Sequence, residues 1–187
     1  MKQPRRYSGL IFGLLALGLL AGMALMAPPA QAVDAVGPYY ADPAWDQSLP
    51  VVTRFVVLTN WGSTAVLDKE TGLVWERSPA TGFVSWADAR RVCTALTTGG
   101  RKGWRLPSIP ELESLIDPSV AFPGPTLPPG HPFLTFQSGL YWSATTVAGN
   151  PIRAWDVTFF DGNMNSLDKT SNGRVWCVRG GNNADAY

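Results

Sequence analysis

The sequence predicts an α+β domain, and three observations predict it. Short β-branched and aromatic runs lie at 54–58, 64–67 and 73–75, and again in the last third of the chain. Two helical segments, each opened by a serine, stand between these groups, and a proline-rich stretch separates the second helix from the closing strands. Strands, then helices, then strands, without regular alternation, is the pattern of helices set against small antiparallel sheets.

Ahead of the domain, Lys2, Arg5 and Arg6 precede an uncharged stretch at 10–26. Pro28 and Pro29 break any helix there, and Ala30-Gln31-Ala32 is a small-x-small site. This layout predicts a secretory signal peptide over 1–32, cleaved after Ala32, and an exported chain, periplasmic or extracellular. An uncleaved anchor is the alternative, but the apolar stretch falls short of the roughly 20 residues a spanning helix needs. No stable membrane insertion is expected after cleavage. Residues 33–53 contain Pro, Asp and Tyr without a period and are expected to form an irregular leader. The domain is expected over 54–180, with a fraying tail over 181–187.

Within the domain, 54–58 reads as a β-branched and aromatic strand. The runs 64–67 and 73–75 flank Asp68-Lys69-Glu70-Thr71-Gly72, a polar turn ending in glycine, and so predict a hairpin. Ser85 opens a helix: its hydroxyl can take a free amide, and Asp88 three residues on completes a capping box. Trp86, Ala89, Val92, Cys93 and Leu96 recur at helical spacing, placing Cys93 on the buried face, and Gly99-Gly100 ends the run. Ser108 and Glu111 form a second capping box, with Pro110 in the first turn, where its missing amide hydrogen costs nothing. Leu112, Leu115 and Ile116 are its apolar stripe, and Asp117-Pro118 stops it. The prolines between Pro118 and Pro132 prescribe a long irregular loop, because proline cannot donate to a ladder. Strands are expected at 140–144, 154–160 and 174–179, with Trp155, Val157 and Phe159 on one face of the middle one and Asp156 and Thr158 on the other.

Charge and side-chain chemistry narrow the function. Fifteen basic against fourteen acidic residues give a formal +1. The three basic groups of the signal segment leave with it, and the remainder carries no electrostatic footprint for nucleic acid. Cys93 and Cys177 are an even pair in an exported chain, so a disulfide is the default and two buried free thiols the alternative. His131 is the sole histidine, held in Pro129-Gly130-His131-Pro132, with nothing like a nucleophile elbow nearby. One histidine and a paired cysteine set do not furnish a typical zinc site. Glu111 and Glu113 point to different sides of a helix and make no working carboxylate pair. The expectation is no catalysis, no cofactor and no metal.

Four blocks carry a resemblance to a known family. They are Asp68-Lys-Glu-Thr-Gly-Leu-Val-Trp-Glu76, Gly103-Trp-Arg-Leu-Pro-Ser-Ile-Pro-Glu-Leu-Glu-Ser-Leu115, Tyr141-Trp-Ser-Ala-Thr145, and Ala154-Trp-Asp-Val-Thr-Phe159 with Arg174-Val-Trp-Cys-Val-Arg-Gly180. They resemble the bacterial domain family named for the C-terminal domain of the Legionella collagen-like adhesin, which implies a C-type-lectin-like fold over most of the mature chain. The resemblance also implies a disulfide from the first helix to the last strand, the places Cys93 and Cys177 occupy. The resemblance implies kinship with a family in which many members are exported proteins of unknown role and some are adhesins. The segment from Asn150 to Arg179 is similar to the variable region of retroelement-diversified proteins, in which a lectin-like scaffold displays changeable polar side chains.

On that resemblance, a glycan or protein ligand would meet Asn150, Arg153, Asp161, Asn163, Asn165, Asp168, Lys169 and Asn172, with Trp142 nearby to stack on a sugar ring. The other reading of the segment is a Gly/Asn-rich turn between two strands, where Asn tolerates left-handed geometry. Trp75, Trp86, Trp104 and Trp176 read as core anchors; Trp142 and Trp155 either pack in the core or face the ligand. Asp161-Gly-Asn163-Met-Asn165-Ser-Leu-Asp168 offers oxygen ligands at close spacing but lacks the sugar motifs of calcium-dependent lectins, and is read as a solvated turn. The alternative function is structural, with the domain packing against a partner protein of the envelope. An enzyme related to the formylglycine-generating oxidases, which share a distantly related fold, would need closely placed reactive cysteines that this chain lacks.

Overall fold

The computed structural model describes residues 49–180, and the expected signal peptide, most of the leader and the tail after Gly180 lie outside them. The described residues begin within the span expected to be irregular. There Pro50 starts a single helical turn, α1 (Val51–Arg54), whose last two amides, of Thr53 and Arg54, donate to the Pro50 carbonyl at 2.8 and 2.9 Å. Arg54 therefore closes a helical turn rather than opening the strand, which runs Phe55–Val57 as β1.

β1 pairs antiparallel with β2 (Ala65–Asp68), which pairs with β3 (Val74–Glu76), the hairpin read from the sequence. Its polar turn is largely buried. Asp68, Glu70 and Thr71 are buried there, and Arg54 from the neighbouring element pairs with both carboxylates.

A two-residue strand, β4 (Val84–Ser85), leads into α2 (Trp86–Ala95). The predicted cap is present: the Ser85 hydroxyl accepts the Asp88 amide at 3.3 Å and donates to the Asp88 carboxylate at 2.9 Å. Ala89 and Cys93 are buried beneath α2, whereas Val92, expected on that stripe, is exposed. After β5 (Trp104–Arg105) comes α3 (Ile109–Glu113), only five residues long. Glu111 accepts the Ser108 amide at 2.8 Å, closing its half of the capping box. Leu115 is buried one residue beyond the α3 C-cap, Ser114, so the apolar stripe outlasts the helix.

The loop through 118–132 is irregular, as its prolines require, but it is anchored: the Thr126 amide donates to the Phe159 carbonyl at 2.9 Å, and Leu127 is buried. It delivers the chain to a meander of β6 (Leu140–Val147), β7 (Asn150–Thr158) and β8 (Asn163–Asp168), in that spatial order. β8 was not foreseen; those residues were expected to be a turn. β9 (Asn172–Gly173) then pairs with β4. Finally β10 (Val178–Arg179) inserts between β3 and β5, completing a five-stranded sheet of order β1-β2-β3-β10-β5. The strand expected over 174–179 is thus regular only at its end, although Arg174 bonds to Leu140 and Trp142 alongside β6.

Two apolar clusters fill the interior. One gathers Trp75, Trp176, Tyr141 and Phe159 with α3 residue Leu112; Trp75 and Trp176 lie 5.1 Å apart between ring centroids. The other joins Ala89 and Cys93 of α2 to Trp104, Trp142, Ala154 and Cys177. The Cys93–Cys177 disulfide runs through this second cluster and closes a separation of 84 residues. A loop of that length stabilises the fold by roughly 4–5 kcal/mol on the chain-entropy model. The architecture is α+β, with small antiparallel sheets, few helices and one disulfide.

Candidate functional site

The register of β7 and β8 sorts the candidate ligand residues. Asn163 lies opposite Thr158, Asn165 opposite Asp156, and Arg153 opposite Asp168. Alternation then puts Asn163 and Asn165 on one face of the strand and Asp168 on the other. From Asn163 to Lys169 the chain advances by about 20 Å at the usual rise of an extended strand. The residues therefore form separate groups.

At the turn end, exposed Asp161 accepts the Asn163 backbone amide at 3.1 Å and its side-chain amide at 2.7 Å, while the Asn165 side chain donates to the Thr158 hydroxyl at 3.4 Å. In the middle, half-buried Arg153 donates to the Ser166 carbonyl, and its Nε stands 3.8 Å from Asp168. Asn150 begins β7, half-buried opposite Val147.

At the far end, Lys169 and Asn172 meet the start of α2. The Trp86 amide donates to the Lys169 carbonyl at 3.1 Å, and Asn172 lies opposite Ser85. The Lys169 ammonium donates to the Thr146 hydroxyl at 2.9 Å and sits 4.1 Å from the centre of the Trp86 ring. Arg90, one turn along α2, places its guanidinium 4.9 Å from the same ring. Desolvation, reinforced by Arg90, holds the Lys169 ammonium below its ordinary value. A shallow depression of about 350 Å³ opens beside this group, lined by Trp86, Ala87, Arg90, Arg91 and Thr94.

Of the two places open to Trp142 the structure takes the core, while Trp86 leaves it. Trp142 is fully buried and its indole N–H donates to the Val84 carbonyl at 3.0 Å, so it has no ring face for a ligand. Gly173 packs against it so closely that an added Cβ would lie 2.8 Å from the Trp142 indole nitrogen. Trp86, read as a core anchor, is half-buried and carries both cations; its N–H is held by the Ser143 carbonyl at 2.8 Å. Its position at the first residue of α2 could have signalled this, since a first-turn residue has no preceding turn of its own helix to pack on.

Asp156, expected on a polar outer face, is buried in the middle of β7, with neither carboxylate oxygen hydrogen-bonded among the described residues. Burial raises its pKa to about 6, against a lowering influence from Arg153. Glu76, at the end of β3, is raised by burial to about 7, although it accepts the Cys177 amide at 3.0 Å. Glu111 is occupied in a double contact with Arg105, at 2.7 and 2.5 Å. His131 lies against the Phe133 ring, 5.7 Å between centroids, and burial lowers its pKa. Among the described residues no group of three or more His, Cys, Asp or Glu gathers to hold a metal ion, and no helix is long and apolar enough to cross a membrane.

A search of the curated proteins finds no match to the chain. A family model described as the Lcl C-terminal domain matches residues 64–179, which takes in every candidate residue named above from Trp86 to Asn172.

Proposed function

The chain belongs to the Lcl C-terminal domain family, and from that premise we propose that it is a non-catalytic, adhesin-like binding module for a glycan or protein ligand. On this reading the fold is C-type-lectin-like, the signal segment is removed after Ala32, and the mature chain works in the periplasm or outside the cell. Nucleic acid and membrane are not its partners.

The observation that carries the reading is the Trp86–Lys169–Arg90 group beside an open depression. The half-buried indole, with Lys169 and Arg90 over its ring, is an aromatic anchor beside which a ligand's apolar part can pack. The cations and the neighbouring Asn172 and Asp168 supply polar contacts that select among ligands. The exposed amides of Asn163 and Asn165 extend the polar surface along β8.

Binding of the oxidised protein to a broad glycan array, with calcium and with chelator, tests the proposal. A hit that weakens on Lys169→Ala or on joint Asn163→Ala and Asn165→Ala replacement supports it and tells which end is used. A blank from folded protein overturns the glycan form and leaves the protein-ligand form, to be tested by cross-linking from the same positions.

One observation favours the alternative assembly role. Phe122 and Phe160 are exposed and packed edge to face, 4.7 Å between centroids, an apolar feature that a partner protein would cover. Loss of a co-purifying envelope protein on Phe122→Ser would support that role.

A further inference from the structure

Asp156 presents a physical difficulty that the fold does not resolve. It sits in the central strand of the meander, opposite Trp142 on β6 and Asn165 on β8, with no exposed surface and, among the described residues, no hydrogen bond to either oxygen. A buried carboxylate without a partner is tolerated when it is protonated, or when water reaches it.

The surroundings decide from which side water can come. On β6, Trp142 and Ser143 are fully buried, and the Ser143 hydroxyl is tied to the Trp155 carbonyl at 2.7 Å. The face that carries Trp142 and Ala154 packs on Ala89 and Cys93 of α2, which the disulfide fastens to Cys177. β8 is different. It is the outer strand of the sheet, Asn163, Met164 and Asn165 are exposed, and no disulfide holds it.

Charged groups nearby do not neutralise the carboxylate. Arg153 on β7 favours the ionised form, but its Nη2 donates to the Ser166 carbonyl and its Nε stands 3.8 Å from Asp168 without a hydrogen bond among the described residues. Asp168 lies at the far end of β8, and Tyr141, the one titratable group of β6, donates its hydroxyl to the Gln137 carbonyl. On α2, Asp88 is held by Ser85 and Arg91, and Arg90 lies over Trp86. Lys169 is bonded to Thr146.

We propose that Asp156 is a proton-operated latch for β8: protonated, it lets the three strands close as one sheet, and ionised, it drives β8 off β7 so that water can reach the charge. The opening is local, because β6 and α2 are fixed from the other side. Through it, the strand that carries Asn163, Asn165 and Asp168 is ordered in acid and loosened above neutrality. Only the effect on ligand affinity rests on the proposed binding function; the latch itself does not.

Hydrogen exchange of the oxidised protein, read by mass spectrometry on peptides over 160–170 and 140–147 from pH 5 to pH 8, tests it. After correction for intrinsic rates, protection of 160–170 should fall by about tenfold across this range, since a carboxyl moved from 3.8 to about 6 has lost the remainder of its effect below pH 5. Protection of 140–147 should stay constant. Asp156→Asn, which keeps the shape and removes the charge, should abolish the pH dependence, and Asp156→Ser provides a smaller neutral control. Equal loosening of both spans, or an unchanged pH profile in the neutral variants, overturns the latch. Failure of both variants to fold would also overturn it, because the carboxyl would then be a structural requirement.

Discussion

Arg54 grips Asp68 with two prongs: Nε donates to Oδ1 at 3.0 Å and Nη2 to Oδ2 at 2.8 Å, and neither side chain is more than 3% exposed. The same guanidinium donates to the Ser114 carbonyl at 2.7 Å and lies 3.3 Å from Glu70. It thus ties the first helical turn to the β2–β3 hairpin and to the end of α3.

Removing that cation would strand two buried carboxylates. Arg54→Met should destabilise the domain by about 3–5 kcal/mol, as expected when one partner of a buried ion pair is deleted. Urea unfolding followed by tryptophan fluorescence measures it. A further Asp68→Asn change should recover part of the loss, whereas a purely steric role for Arg54 would give additive losses.

Acidification should stabilise the protein through Glu76. Its folded pKa of about 7 lies above the ordinary 4.5, so the folded state binds the proton more tightly than the unfolded chain does. Stability is then greatest below about pH 4.5, falls as the pH rises to about 7, and levels off above. The difference is on the order of 3 kcal/mol at most. Asp156 acts in the same direction up to about pH 6, while His131, whose pKa is lowered, opposes both by favouring folding above its ordinary value. Unfolding midpoints measured from pH 5 to 8 should fall in the wild type and fall much less in Glu76→Gln, which keeps an oxygen for the Cys177 amide.

Lys169 and Trp86 should report on each other without any ligand. A cation over a partly exposed indole contributes about 0.5–1 kcal/mol. A double-mutant cycle of Lys169→Ala and Trp86→Leu should return a coupling of that size, and a coupling near zero would leave the pair a mere proximity. Both variants should stay folded and lose ligand binding in the array experiment.

Gly124 stands where a side chain has no room. Its φ is +62°, and an added Cβ would lie 2.6 Å from the Phe159 carbonyl oxygen and 2.9 Å from that of Phe160. Both neighbours are backbone atoms just beyond β7, so they cannot swing aside. Gly124→Ala should cost about 1–3 kcal/mol, read as a lowered thermal midpoint, and should detach the proline-rich loop before the sheets.

What the sequence revealed and what it hid follow the range of the forces involved. The caps at Ser85 and Ser108 were legible because each is made by residues three positions apart. The hairpin and the interior position of Cys93 were equally local signals. The burial of Asp68 and Glu70 was not legible in their polar turn, because the cation paired with them arrives from fourteen residues before Asp68. β8 was hidden because an outer strand with exposed asparagines has no apolar alternation to betray it. Trp86 and Trp142 could not be ranked from sequence, since an indole suits a core and a rim alike. Only the crossing of α2 over the meander decides which ring is covered.

The bond between Cys93 and Cys177 has a topological consequence. Every candidate ligand residue from Trp142 to Asn172 lies on the ring of chain that it closes. A protease that cuts the exposed loop at 119–125 or the β7–β8 turn would not release a fragment; the two pieces would remain one covalent particle. In an environment rich in proteases, nicked molecules could go on displaying the same surface until a reductant opens the ring.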